Sequence, residues 1–474
     1  MFICVYPWQI FIKPYWGAKM LQFFEFMLLK RGSLKVFIYS VISLSILGYV
    51  TLAYPAGFEW EGLGARAGGM GGAFIGLADD WTAIYWNPAG ITQLKGKGFG
   101  IVLYNMNDFS KDNDSVSNPD LPANERQAQQ YIKRGEVFNR IYGSESLRFE
   151  REWINLPFFQ PSMGGYFKWK GFNFGASLYT PLGNWLDWDD TILDRQNNAR
   201  IDASYHALFL MPILNFSVAK KITPNLSLGT GLNILISNVQ YNIDKDYFST
   251  TQPELNYAYD FEQEGRGIGL EGVFGLLWRV RPWLSIGAVY RTGDSLEIEG
   301  DAFVRQTALG INESSNYTQR LPMPATWGIG IALKPLKKLT ITFDWQRSDW
   351  TTMKWDFNYN IADEKMKMLK DMNVDLDWRA TTRYRVGLEW KFNDRWTFRS
   401  GYFQDRGAYP SDDIAGFTTT PYDNEWGVSW GIGFKKGLWS FDARFEWLQG
   451  DRGRERYGVE HYCPTFEYAL TRTF

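Results

Sequence analysis

From about residue 98 to the end, hydrophobic side chains recur at every second position. The clearest run is Trp439, Phe441, Ala443, Phe445 and Trp447, with Ser440, Asp442, Arg444 and Glu446 between them. Tyr384, Val386, Leu388, Trp390 and Phe392 alternate in the same way with Arg383, Arg385, Gly387, Glu389 and Lys391. A period of two puts one set on each face of a strand, so these segments predict β-strands with one greasy and one polar face. A soluble sandwich also alternates, but its polar face meets bulk water. Here Trp and Phe gather on the apolar face near strand ends, where a transmembrane barrel carries its aromatic girdles. Composition supports that choice. Aromatic residues are 17% of the chain, with 22 Trp and 26 Tyr, yet mean hydropathy is −0.30. Rings with one wet end suit a membrane interface, and so low a mean hydropathy argues against a helical membrane protein.

Fourteen such segments begin near Phe99, Ser162, Phe172, Ser204, Asn225, Gly267, Trp283, Leu321, Leu339, Leu376, Arg395, Glu425, Leu438 and Gly458. An even number fits a single-chain bacterial barrel. Tight turns are predicted at Lys170-Gly171, Lys220 to Pro224, Arg281-Pro282, Pro335 to Lys338, Asn393-Asp394 and Lys436-Gly437, where Gly, Pro, Asn and Asp concentrate. Long loops are predicted over 106–159, 184–202, 243–264, 300–320, 351–375, 406–424 and 450–457. Turns short on one side and long on the other mark an outer-membrane barrel, with the short side periplasmic. The chain ends in Phe474, with Leu470, Tyr468 and Phe466 on the same face and Arg472 interrupting it. Pro122 to Ile141, inside the first loop, has helical spacing and mixed charge and predicts a solvated surface helix.

The N-terminus supplies an address rather than a domain. Lys30, Arg31 and Lys35 precede an apolar run from Val36 to Ala53, the pattern of a secretory signal peptide cleaved near Thr51-Leu52-Ala53. A signal beginning at Met27 or Met20 has normal proportions; a single membrane anchor is the alternative reading. Without residues 1–53 the chain keeps 45 basic and 51 acidic side chains, a net charge of −6, which argues against nucleic acid as a partner. Cys4 lies in the leader and leaves Cys463 alone, so neither an internal disulfide nor a cysteine metal site is expected. Asp112, Asn113 and Asp114 lack the Gly and bidentate Glu of an EF-hand and read as solvated loop. His206 and His461, the only histidines, stand in no serine-elbow motif, so no enzyme, cofactor or metal is expected.

Residues 54–97 break the alternation. They are rich in glycine, from Gly57 through Gly64, Gly68, Gly69, Gly71, Gly72 and Gly76, and contain Ala78-Asp79-Asp80 and Asn87-Pro88-Ala89-Gly90. No Gly-Lys-Ser/Thr follows, so this is not a phosphate loop. It reads as a compact plug inside the barrel, or else as a linker to the first strand. At this point the chain resembles the FadL/TodX family of outer-membrane transporters for long-chain fatty acids and aromatic hydrocarbons. The resemblance rests on Ala56-Gly57-Phe58, Gly62 to Ala67, Ala78-Asp79-Asp80 and Asn87-Pro88-Ala89-Gly90. It recurs at Tyr290-Arg291, Leu321-Pro322 and Trp396 to Tyr402. It implies a fourteen-stranded barrel over 98–474, plugged by an N-terminal hatch over 54–97 that includes Gly57, Phe58, Asn87, Pro88, Ala89 and Gly90. It also implies a monomer among outer-membrane lipids that takes up hydrophobic small molecules and releases them sideways at a kinked third strand.

Pro181 and Gly183 fall in the third segment and are the candidate lateral gate, since Pro cannot donate a ladder hydrogen bond and Gly permits a bend; otherwise Pro181 simply ends the strand. Apolar residues on the inward face are candidates for a ligand site: Phe209, Met211, Ile213, Leu235, Val273, Leu277 and Phe403. They serve equally for packing against the hatch, and a bulge at Pro212 would turn the first three outward. Arg291 and Lys354 are the candidate cations for a carboxylate ligand, Lys354 because Ser348 to Lys354 resembles a family segment. A scaffold or secretion-linked barrel and a lipid-hydrolysing barrel are the other function classes.

Overall fold

The computed structural model describes residues 62–112, 138–141, 160–194, 199–249, 256–359, 368–408, 424–451 and 459–474. The leader over residues 1–53 and the hatch candidates Gly57 and Phe58 lie outside them, as does the predicted surface helix up to residue 137. Phe138–Ile141, the end of that predicted helix, is instead a strand paired with the first barrel strand.

Fourteen antiparallel strands close into one barrel. They are β1 (Lys97–Asp112), β2 (Phe138–Ile141 and Gln160–Trp169), β3 (Phe172–Asp194), β4 (Ala199–Lys221), β5 (Leu226–Ser249) and β6 (Tyr257–Arg281). Next come β7 (Leu284–Arg291 and Asp294–Gln306), β8 (Ile311–Met323 and Ala325–Leu336), β9 (Lys354–Tyr359, preceded by Leu339–Asp349) and β10 (Met372–Asp375 and Thr381–Lys391). The last are β11 (Trp396–Arg406), β12 (Asn424–Lys436), β13 (Trp439–Asp451) and β14 (Val459–Thr473). Pairing of β1 with β14, from Gly98 opposite Thr473, closes the ring.

Burial is inverted relative to a soluble protein. On β13 the apolar Phe441 is 43% exposed while Glu446 is fully buried. Ile268, Leu270 and Phe274 on β6 are exposed in the same way, and Ile268 reaches 71%. An outward apolar band around inward charges has lipid as its solvent.

The strands run further than the alternation suggests. The predicted loops over 184–202, 243–264 and 300–320 are mostly strand: β3 continues to Asp194, β5 to Ser249, β6 begins at Tyr257, and β7 and β8 are separated by 307–310 alone. The cause is visible on β5. Its outward face passes from Leu228, Leu232 and Ile236 to Gln240, Asn242 and Asp244, so the ladder outlasts the lipid-facing cue that marks a membrane strand. These wall extensions rise on the long-loop, extracellular side.

Residues 62–96 form short helical pieces, Ala65–Gly68, Ala83–Trp86 and the 3-10 turn Pro88–Gln93. They sit within the lumen, because inward side chains from β5, β9, β12 and β14 all hydrogen-bond to them. Wall glycines let backbone meet backbone: a Cβ on Gly401 would lie 1.9 Å from the Gly71 nitrogen, and one on Gly287 would lie 2.1 Å from the Ile75 carbonyl oxygen.

Candidate functional site

The lumen has two unlike sides. From β9 to β14 the inward face is charged and grips the N-terminal segment. Asp344 on β9 accepts the backbone N–H groups of Phe74 and Ile75, at 2.6 and 2.7 Å. Glu467 on β14 accepts that of Gly64 at 2.8 Å. Glu389 on β10 takes both Arg66 and Arg399, each at 2.8 Å, while Arg66 also holds Asp79 at 2.7 Å and Arg399 holds Asp442 at 2.8 Å. Arg383 pairs with Asp405, and Arg444 reaches Glu446 and Glu467 at 3.4 Å. Burial opposes the Arg66 charge, but Asp79, Glu389 and Asp80 outweigh it and raise its pKa well above the ordinary value. Burial raises the Asp80 carboxyl, against the pull of Arg66 and the hydrogen bond from Thr82.

Asn87 ties the segment to the opposite wall. It is fully buried, and its Nδ2 donates to the carbonyls of Ile75 and Leu276, at 3.1 and 2.9 Å. Its Oδ1 accepts the Ala89 N–H, capping the turn that Pro88 opens. Gly90 is packed so closely on Ala78 that a Cβ would lie 2.2 Å from its carbonyl oxygen.

From β3 to β8 the inward face carries an apolar cluster. Phe209, Met211, Ile213 and Leu235 are all buried and join one cluster with Tyr179, Leu296, Ile298 and Met323. Trp350, Met353 and Trp378 complete it from the irregular joints of β9 and β10, the two indoles 5.5 Å apart. Trp81 and Leu63 of the N-terminal segment close its base. A polar chain runs beneath: Ser217 donates to Asn215, Asn215 to Asn233, and Asn233 to Glu271, at 2.7, 2.5 and 2.5 Å. Tyr179 also donates to Asn233, at 3.3 Å. Arg291 lies 3.6 Å from Glu271, donates to the Tyr85 carbonyl and covers the Tyr85 ring at 4.7 Å.

The wall beside this cluster is irregular. Among the described residues the β2–β3 ladder runs from Met163 opposite Leu178 to Trp169 opposite Phe172, and Gln160 to Ser162 do not continue it. On the other flank the β3–β4 register slips between Tyr179 and Leu182, one residue bulging from β3, and the β4–β5 ladder skips Met211 and Pro212. Pro181 and Pro212 therefore face each other across an irregularity, each lacking an N–H. The bulge lies on β3, and β4 keeps its register with β5 across Pro212, so odd-numbered β4 side chains stay inward.

The other sequence candidates scatter. Val273 packs on Ile75 of the N-terminal segment, and Phe403 on Leu448. Leu277 is buried near the base of the barrel, outside the main cluster. Lys354 is half-exposed and lies 3.3 Å from Asp356. Tyr179, Trp350, Met353 and Trp378 were missed. Tyr179 shares the inward parity of Ser177 and could have been found from it; the other three lie where the chain leaves the alternating pattern, and nothing local marks them.

Residues 50–446 match the family described as outer membrane protein transport protein (OMPP1/FadL/TodX). No curated protein sequence matches the chain. Among solved structures, a Pseudomonas aeruginosa FadL homologue is 15% identical, with a TM-score of 0.66 over 88% of this chain and 99% of that one. The Pseudomonas putida toluene transporter TodX is 16% identical, with a TM-score of 0.63 over 87% and 99%. The Ralstonia pickettii toluene transporter TbuX is 19% identical, with a TM-score of 0.59 over 87% and 99%.

Proposed function

This chain belongs to the OMPP1/FadL/TodX family of outer-membrane transport proteins, and from that premise we propose that it carries uncharged hydrophobic small molecules inward by diffusion. The molecule enters from outside and rests on the apolar lining around Tyr179, Met211, Ile213 and Trp350. It then leaves sideways into the membrane between β2 and β3, past Pro181 and Gly183, while residues 54–97 act as a closed hatch beneath it. One copy supplies the whole barrel, and the chain works as a monomer.

The break in the β3 ladder between Tyr179 and Leu182, beside the apolar cluster, carries this reading. In lipid an open ladder is costly unless it lines a passage. The path under the hatch is a poor competitor: the cleft there, about 590 Å³, is lined by Arg279, Arg281, Lys334 and Gln93. Burying a hydrocarbon in the lining contributes about 0.8 kcal/mol per CH₂. Both candidate cations already face carboxylates, Arg291 facing Glu271 and Lys354 facing Asp356, which favours an uncharged substrate such as an aromatic hydrocarbon over a fatty-acid anion.

Uptake of labelled toluene by cells bearing the barrel tests this. Pro181→Val with Gly183→Val, which restores ladder-forming residues, lowers uptake at least tenfold in a correctly folded barrel. Unchanged uptake contradicts the lateral route.

A further inference from the structure

The two ends of the barrel carry opposite charge. Every tight turn presents an exposed cation: Lys170, Lys221, Arg281, Lys338, Arg395 and Lys436. Asp394 is the one exposed carboxylate among the described residues of those turns. At the far end the outward face of β5, β6 and β7 shows exposed Asp244, Glu262, Glu264, Glu297, Glu299 and Asp301 against exposed Arg266 and Arg305, an excess of acid. General solubility would be served by either sign at either end, so the sorting points to different surroundings.

Lys170 and other cations at this end lie against exposed rings. Lys170 lies 4.6 Å from the Trp169 ring, and Lys220 lies 4.6 Å from that of Phe172. Arg472 covers Phe474 at 4.4 Å and Trp439 at 4.9 Å, and Lys97 approaches Phe474 at 5.7 Å. Trp169, at 56% exposure, and Trp283, at 53%, face outward at this end. Exposed indoles mark the depth of the lipid glycerol and headgroups. A cation one step further toward water, its stem lying along the ring, stands at the level of the lipid phosphates.

We propose that this periplasmic rim is a binding surface for anionic phospholipid headgroups of the inner leaflet, with the phosphates taken by the turn cations and the glycerol region by the aromatic belt. The rim thereby fixes the depth of the barrel and recruits a shell of anionic lipid around the base of the β2–β3 seam. The acidic outer wall repels the same headgroups.

The test is native mass spectrometry of the full chain released from mixed phosphatidylglycerol and phosphatidylcholine micelles. Phosphatidylglycerol should be retained several-fold over phosphatidylcholine. The preference should vanish at about 0.5 M NaCl, where the screening length is a few ångströms. It should also vanish when Lys170, Lys221, Arg281, Lys338, Arg395 and Lys436 are all changed to Gln, in a barrel whose heat-modifiable mobility shows it folded. Equal retention of the two lipids by the wild type overturns the proposal, as does a preference that survives high salt or the folded variant. Displacement of the lipid by inorganic phosphate at constant ionic strength also overturns it, since the rim would then read a free ion rather than a seated lipid.

Discussion

The charged and apolar sides of the lumen enclose the same N-terminal segment and treat it differently. Toward β9–β14 it is held by groups that must be satisfied: Asp344 on two backbone N–H groups, Glu467 on a third, Glu389 on Arg66. Toward β3–β8 it meets the wall through close backbone packing and through hydrogen bonds made by Asn87, Ser227, Ser285 and Arg291, and above it the lining turns to Phe209, Met211, Ile213 and Trp350. A buried charge is strongly destabilising once its partner is lost, whereas an apolar surface tolerates exchange of one occupant for another. The first side is built to keep what it holds. Under the proposed function, the second holds and releases the substrate.

This difference can be broken most forcefully on the charged side. Glu389→Gln leaves Arg66 and Arg399 short of their shared carboxylate. We expect a loss of about 3–5 kcal/mol in reversible urea unfolding, with raised conductance in planar bilayers as the segment loosens. The same account expects a smaller loss of stability from Met211→Trp, about 1–3 kcal/mol from overpacking a fully buried site. Toluene affinity of the folded barrel falls about tenfold, or about 1.4 kcal/mol, by fluorescence titration. Lys354→Gln sharpens the comparison from the small end. A half-exposed ion pair contributes about 0–1 kcal/mol, so uptake of toluene stays within about twofold of wild type. A selective loss of fatty-acid uptake in this variant would restore Lys354 as an anion site.

The charged side was plain in the sequence. Strict alternation in Arg383 to Lys391 and Ser440 to Glu446 identifies both the strands and their inward charges, because one face must answer to lipid. The apolar side was half visible. Phe209, Met211, Ile213 and Leu235 stand out as apolar residues on the polar parity. Trp350, Met353 and Trp378 do not, because they come from a 3-10 turn and an irregular joint where parity has no meaning. Pro181 announces a defect in its strand, but the register shift between Tyr179 and Leu182 depends on how β4 pairs with β3, which no local signal encodes. The extracellular extensions were hidden for a related reason: once the outward face meets water, carboxylates replace the leucines and the ladder continues unmarked.

The claim that substrate leaves through the wall, and not through the hatch, can be tested by locking the hatch shut. Thr92 of the 3-10 turn and Ser227 of β5 bring their hydroxyl oxygens to 2.7 Å, so their side chains are in direct contact. In a chain with Cys463→Ser, Thr92→Cys and Ser227→Cys should cross-link on oxidation, and toluene uptake should be the same oxidised and reduced. Uptake that stops on oxidation and returns on reduction would contradict lateral exit and place the path through the hatch.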